Sequence, residues 1–163
     1  ALETSVSKEN NNQPIIDEFI DRLYVKHQND IEYILPLLQI LFKNTANTIF
    51  HWLSETMNYT FFQNTYLITP SFLTVSTYNN NWANISILND IGSKTLHTHF
   101  VDLFIHEMSH TIFEEKIKQT YLKHWELEPS THHYLKEIIA PIIVRDPRFD
   151  AIREWSESIY TNS

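Results

Sequence analysis

One glycine, Gly92, stands in a chain of 163 residues. That single feature removes whole architectures. A phosphate cradle of the Walker type and the GxGxxG turn of dinucleotide-binding sheets both need several glycines where the backbone must approach a ligand closely. Nucleotide hydrolysis on a P-loop and hydride transfer on a Rossmann sheet are therefore excluded. Cysteine is absent. This removes disulfides, thiolate nucleophiles, CxxC zinc sites and iron–sulfur clusters. The charge balance, 12 Lys+Arg against 20 Asp+Glu, gives −8 and opposes a nucleic-acid-binding surface, which needs clustered positive charge against phosphate.

Hydrophobic residues make up 42% of the chain, enough to exclude a wholly disordered polypeptide. No apolar run approaches the roughly 18 residues of a membrane helix. The chain opens on Ala1 with no basic-then-apolar signal segment. Cytoplasmic and secreted locations both stay open, as does the oligomeric state.

The polar, aperiodic stretch 1–12 reads as a disordered tail, and 13–163 as one domain. Ile15, Ile16, Phe19, Ile20, Leu23 and Tyr24 recur at 3/4 spacing and predict an amphipathic helix over 14–28. Asn29-Asp30 is expected to break it before a long apolar helix over 31–57. Residues 59–90 turn rich in Thr, Tyr, Phe, Val and Ile, and predict three strands, 60–68, 72–78 and 83–88. A helix over 95–120 follows, with Val101, Phe104, Ile105, Met108 and Ile112 on its core face. Helices over 130–145 and 148–160 close the chain, and Pro141 is expected to bend or end the first of them. The fold class is thus α+β: two N-terminal helices, a small, mostly antiparallel three-stranded sheet, then a C-terminal helical part.

Chemistry concentrates at His106-Glu107-Met108-Ser109-His110. Histidines at i and i+4 lie one helical turn apart on one face, so both imidazoles can reach one ion at about 2.0–2.1 Å. The intervening Glu107 projects beside that ion, where it can accept a proton from water and pass it to a leaving amine. The bland alternative is two histidines on a solvated or packed face with no metal.

The HEMSH segment resembles the zinc-binding motif of the zincin metallopeptidases. That resemblance implies His106 and His110 as zinc ligands and Glu107 as general base and acid. The metzincin continuation HExxHxxGxxH is not met, since Phe113 and Lys116 stand where Gly and His are expected. Peptide deformylase takes a Cys ligand, and this chain has none. Gluzincins supply a Glu from a later helix, and Glu137 in HYLKEIIAP is the candidate. The order of elements is similar to that of the small single-domain minigluzincins over residues 59–145, although in residues the likeness covers only the five motif positions and Glu137. Many gluzincins carry an acidic residue four positions after the ligand Glu, which orients the first His. Pro141 stands there, and Asp102, one turn before His106, is the alternative.

Glu114, Glu128, His132 and His133 are rival third ligands. His132, His133 and Tyr134 precede Glu137 by less than two turns, and one of them, with His133 and Tyr134 the leading candidates, is expected to hydrogen-bond the oxyanion of a tetrahedral intermediate. The resemblance implies Zn²⁺ as cofactor and a peptide or protein as substrate. Strand 83–88 is expected at the sheet edge, where an extended peptide could pair with it. A non-catalytic zinc-binding or degenerate peptidase-like interaction module is the alternative, and a latent enzyme whose tail or last helix fills the cleft is a third reading.

Overall fold

The computed structural model describes residues 13–61, 65–71, 77–79, 82–87, 96–120 and 128–161. The stretch expected to be a tail, 1–12, lies outside these, as do Gly92 and most of the expected strand 72–78. Two compact units divide the chain, 1–37 and 38–163.

The first unit contains α1 (Gln13–Lys26) and the opening turns of α2 (Gln28–Met57). The two helices meet at His27, not at Asn29-Asp30. The His27 amide donates to Leu23 O (3.1 Å) and its carbonyl accepts from Ile31 N (3.0 Å), so helical hydrogen bonding carries through the junction. Asp30 serves this junction through its side chain, 3.1 Å from His27 Nδ1. The expected apolar face of α1 is not uniformly buried: Phe19 is 60% exposed and Tyr24 45%.

The second unit is built around α3 (Leu96–Thr120). Val101, Phe104, Ile105, Met108 and Ile112 are all buried, as their shared face predicts. The opposite side is covered too, because Glu107, Ser109, His110 and Thr111 are also buried. From α2, the stripe Leu41, Thr45, Ile49 and Leu53 is buried at i, i+4 spacing. Between its members, Phe42 sets its ring edge-on to Phe104 (centroids 4.9 Å apart) and to Phe100 (5.8 Å). Phe50 does the same to Phe104 at 6.0 Å. Asn58 ends α2 with φ 46°, a left-handed conformation that asparagine adopts more readily than most residues.

Three short strands form one sheet: β1 (Leu67–Ser71), β2 (Thr77–Asn79) and β3 (Trp82–Ser86), in the order β1-β3-β2. The sheet is mixed. β3 runs parallel to β1 (Leu67↔Trp82 to Ser71↔Ser86) and antiparallel to β2 (Thr77↔Asn84 to Asn79↔Trp82). Two expectations are corrected here. The sheet is not mostly antiparallel, and β3 is its centre, not its edge. Its burial gives the reason: Ala83, Asn84, Ile85, Ser86 and the following Ile87 are all buried, so both faces are covered. The first strand also starts later than residue 60. Phe61 instead joins an aromatic cluster with Phe50, Tyr59 and Tyr66 at 4.8–5.8 Å.

Two helices complete the unit, α4 (Pro129–Val144) and α5 (Asp150–Thr161), joined through a 3₁₀ turn over Pro147–Phe149. Pro129 occupies the first helical position, where its missing N–H costs nothing. Pro141 does not end α4, which continues to Val144, and the Pro141 carbonyl still accepts from Arg145 N at 3.2 Å. The turn is clasped to the end of α2. Arg148 donates to Asp146 (2.7 Å), Glu55 (3.2 Å) and Thr56.

Candidate metal centre

Helix α3 carries His106 and His110 one turn apart, and α4 brings Glu137 against them. The two Nε2 atoms are 2.8 Å apart. Glu137 Oε2 lies 3.6 Å from His106 Nε2, and its Oε1 lies 3.4 Å from His110 Nε2. The rings stand nearly perpendicular, at 86°. Among the described residues these three form the one group of His, Asp and Glu donors close enough to share an ion, with all three atoms within 4.8 Å of one another.

That donor set can be tested against a cation. Ligands at about 2.0–2.1 Å in tetrahedral array lie ~3.3 Å from each other. The two Nε2 atoms, 2.8 Å apart, are closer than that edge, and different oxygens of Glu137 make the 3.4 and 3.6 Å approaches, with one ligand atom from each residue within 4.8 Å of the others. The set fits a tetrahedral divalent ion once the rings part slightly and the carboxylate turns one oxygen toward both. Two imidazoles and one carboxylate are also the donor types that zinc accepts.

The electrostatics favour ligand forms. Burial lowers the pKa of His106, against the pull of the Glu137 charge. His110, whose side chain is only 4% exposed, is pushed down to about 3, chiefly by burial and then by His106, Lys136 and His133. Both rings are therefore neutral at neutral pH, with a lone pair free for coordination. Glu107 is raised to about 7 by burial and by the Glu137 charge, with Lys136 acting in the opposite direction. Such a carboxyl exchanges protons readily near neutral pH.

The surroundings of the histidines depart from the expected pattern. Asp102 does not serve His106 in the way its position suggested: its Oδ1 accepts from Arg153 Nε of α5 at 2.7 Å. His110 Nδ1 is buried with no hydrogen-bond partner among the described residues.

The rival ligands are sorted by the same geometry. Glu114 lies outside the donor group, with Oε2 3.6 Å from His132 Nε2 and Oε1 3.4 Å from the Tyr78 hydroxyl. Glu128 and His133 are exposed and outside it as well. Tyr134 is 66% exposed, and its ring neighbours that of His133 at 6.0 Å. Sequence reasoning missed Tyr78 and Lys136. The Tyr78 ring lies 5.5 Å from that of His110, and Lys136 Nζ donates to the Tyr78 hydroxyl at 3.2 Å. No periodicity marks a tyrosine in a three-residue strand, so this contact had no local signal.

Compared with protein families, with curated proteins and with solved structures, the chain finds no match in any of the three.

Proposed function

We propose that this chain is a zinc-dependent peptidase, with His106, His110 and Glu137 holding the ion and Glu107 acting as general base and acid. The observation that carries the reading is the convergence of three donors from two helices, with a buried carboxyl of raised pKa beside them. Among the described residues three protein donors converge, not four, and that number favours a catalytic site over a structural one, because a structural zinc closes all four positions with protein groups. A zinc ion bound there supplies Lewis-acid polarisation of a carbonyl and eases deprotonation of water.

The protein groups divide the remaining work. His106 and His110 are presented neutral by burial, so no proton need be displaced before they bind. Glu137, with its side chain 41% exposed, closes the donor set from α4 and adds the negative charge that two imidazoles lack. Glu107 takes a proton from the attacking water and returns it to the amine as the peptide bond breaks. Peptide and protein substrates fit this chemistry, and no helix among the described residues is long and apolar enough to cross a membrane.

Metal analysis of the purified protein tests the site directly. One zinc per chain is expected in the wild type and none in His110→Ala. Glu107→Gln should keep its zinc and lose at least about 100-fold in turnover, the scale of a general base. A Glu107→Gln variant that cleaves peptides at the wild-type rate would falsify the mechanism.

A further inference from the structure

Beside the donor group lies a polar cluster that the mechanism above leaves unused. Tyr78 of β2, Glu114 of α3 and Lys136 of α4 converge there from three elements. Lys136 Nζ donates to Tyr78 Oη at 3.2 Å, and the same ammonium lies 5.3 Å from the ring centroid. An ammonium can only donate, so it commits the tyrosine oxygen to accepting and leaves the hydroxyl proton to be given elsewhere. Its present acceptor is Glu114 Oε1 at 3.4 Å, long beside the ~2.7–2.8 Å usual for O–H···O. Glu114 is also shared with His132, 3.6 Å away. Tyr78 thus carries a donor that is held in place but weakly engaged, on a ring that neighbours His110. The charge of Lys136 acts on His106, Glu107 and His110, so the ammonium stands within electrostatic reach of the whole donor group.

We propose that Tyr78 is the oxyanion donor of the site and that Lys136 is its positioning residue, an assignment that rests on the peptidase reading above. As the water oxygen bonds to the carbonyl carbon, the π pair moves onto the carbonyl oxygen and one water proton goes to Glu107. The Tyr78 hydroxyl turns from Glu114 to that oxygen and donates a hydrogen bond without giving up its proton. The oxyanion pair then returns to rebuild the C=O bond as the C–N bond breaks, and the C–N electron pair goes to nitrogen, which takes the proton from Glu107. Lys136 stays charged throughout. The role lies on β2, not on the exposed His133 and Tyr134 of α4.

The test separates binding of a charged tetrahedral centre from binding of an ordinary peptide. The probe is a phosphinic peptide matching a sequence the wild type cleaves, with a P(=O)(O⁻)–CH₂ unit at the scissile bond. Its affinity for zinc-loaded protein is measured calorimetrically, beside kcat and KM for the parent peptide and the zinc content of each variant. Tyr78→Phe, which keeps the ring against His110, should hold its zinc and its KM. It should lose about 100-fold in kcat, the effect of deleting one such donor, and bind the phosphinic peptide more weakly. Lys136→Met should move both readings the same way, and Lys136→Arg should restore part of the loss. Equal kcat and phosphinic affinity in Tyr78→Phe and wild type would overturn the assignment while leaving a zinc-loaded, Glu107-dependent peptidase standing. So would losses confined to His133→Ala or Tyr134→Phe. A wild type that holds no zinc, or whose turnover ignores Glu107, sinks the peptidase reading itself and this inference with it.

Discussion

Replacing Arg153 by Met removes the side chain that ties α5 to two other elements. Its Nε donates to Asp102 of α3 at 2.7 Å, and another guanidinium nitrogen donates to the Val144 carbonyl at the end of α4. A third contact, to Asp150 at 2.5 Å, is an i, i+3 pair whose acid is 60% exposed, so it contributes little. Methionine keeps much of the aliphatic stem, which limits lost packing. The charge-assisted bond to Asp102 accounts for about 2 kcal/mol, and a part-buried carbonyl left without its donor for about 1 kcal/mol. A destabilisation of about 3 kcal/mol follows, or roughly 6–12 °C in Tm for a chain of this size.

Urea denaturation of the wild type, Arg153→Met, Asp102→Asn and the double variant closes a cycle. The coupling should be at least about 1.5 kcal/mol. A coupling below about 0.5 kcal/mol would refute the view that this pair fastens α5. The same Asp102→Asn protein decides a second point. If Asp102 is committed to Arg153, zinc affinity stays within about twofold of wild type. A loss of about 10–100-fold, typical of a carboxylate that orients a ligand histidine, would show that Asp102 serves His106 after all.

Zinc at 100 times its dissociation constant should stabilise the protein by about 2.7 kcal/mol, a shift visible by calorimetry and absent in His110→Ala. Phe104→Ala should cost about 3–5 kcal/mol, because the ring is fully buried against Phe42 and Phe50 and its removal opens a cavity. A change under about 1 kcal/mol would mean the α2–α3 interface repacks freely. Arg148 hydrogen bonds hold the Asp146 carboxyl down to about 2 from an ordinary 3.8. A depressed carboxyl contributes stability that is fully present above its unfolded pKa and lost as pH falls through the folded one. Acid titration should therefore show a loss between pH 4 and pH 2 that Asp146→Asn abolishes, and an unchanged acid limb in that variant would count against the clasp.

The helices were legible because their signals are local. Apolar spacing and Pro129 placed α2, α3 and α4 within a few residues of where they lie. The sheet was less so, because pairing is decided between residues far apart in sequence. Thr60 and Phe61 carry strand-forming side chains, yet Phe61 is held by neighbouring rings instead of a strand partner. Nothing in Ala83-Asn84-Ile85-Ser86 announces a parallel partner on one side and an antiparallel one on the other. The site divides the same way. His106 and His110 follow from one helical turn, and Glu137 from likeness to a known motif. Lys136 and Tyr78 meet across 58 residues of chain, a juxtaposition that only the folded backbone creates. Burial was the other blind spot, since an amphipathic pattern names the face of α1 that could be covered without naming what covers it.

The strand order has a consequence for how the molecule is made. During synthesis β1 and β2 both leave the ribosome before the strand that joins them, and neither has a neighbour until β3 slots between them. The sheet is therefore assembled by insertion, with its middle rung arriving last. Nine residues lie between Ser86 and Leu96, so the helix bearing both histidines emerges almost as soon as that rung is in place. A pause after β2 has left the ribosome but before β3 has would leave two short, unpaired ribbons waiting together, and unpaired strand edges of that kind are open to wrong partners.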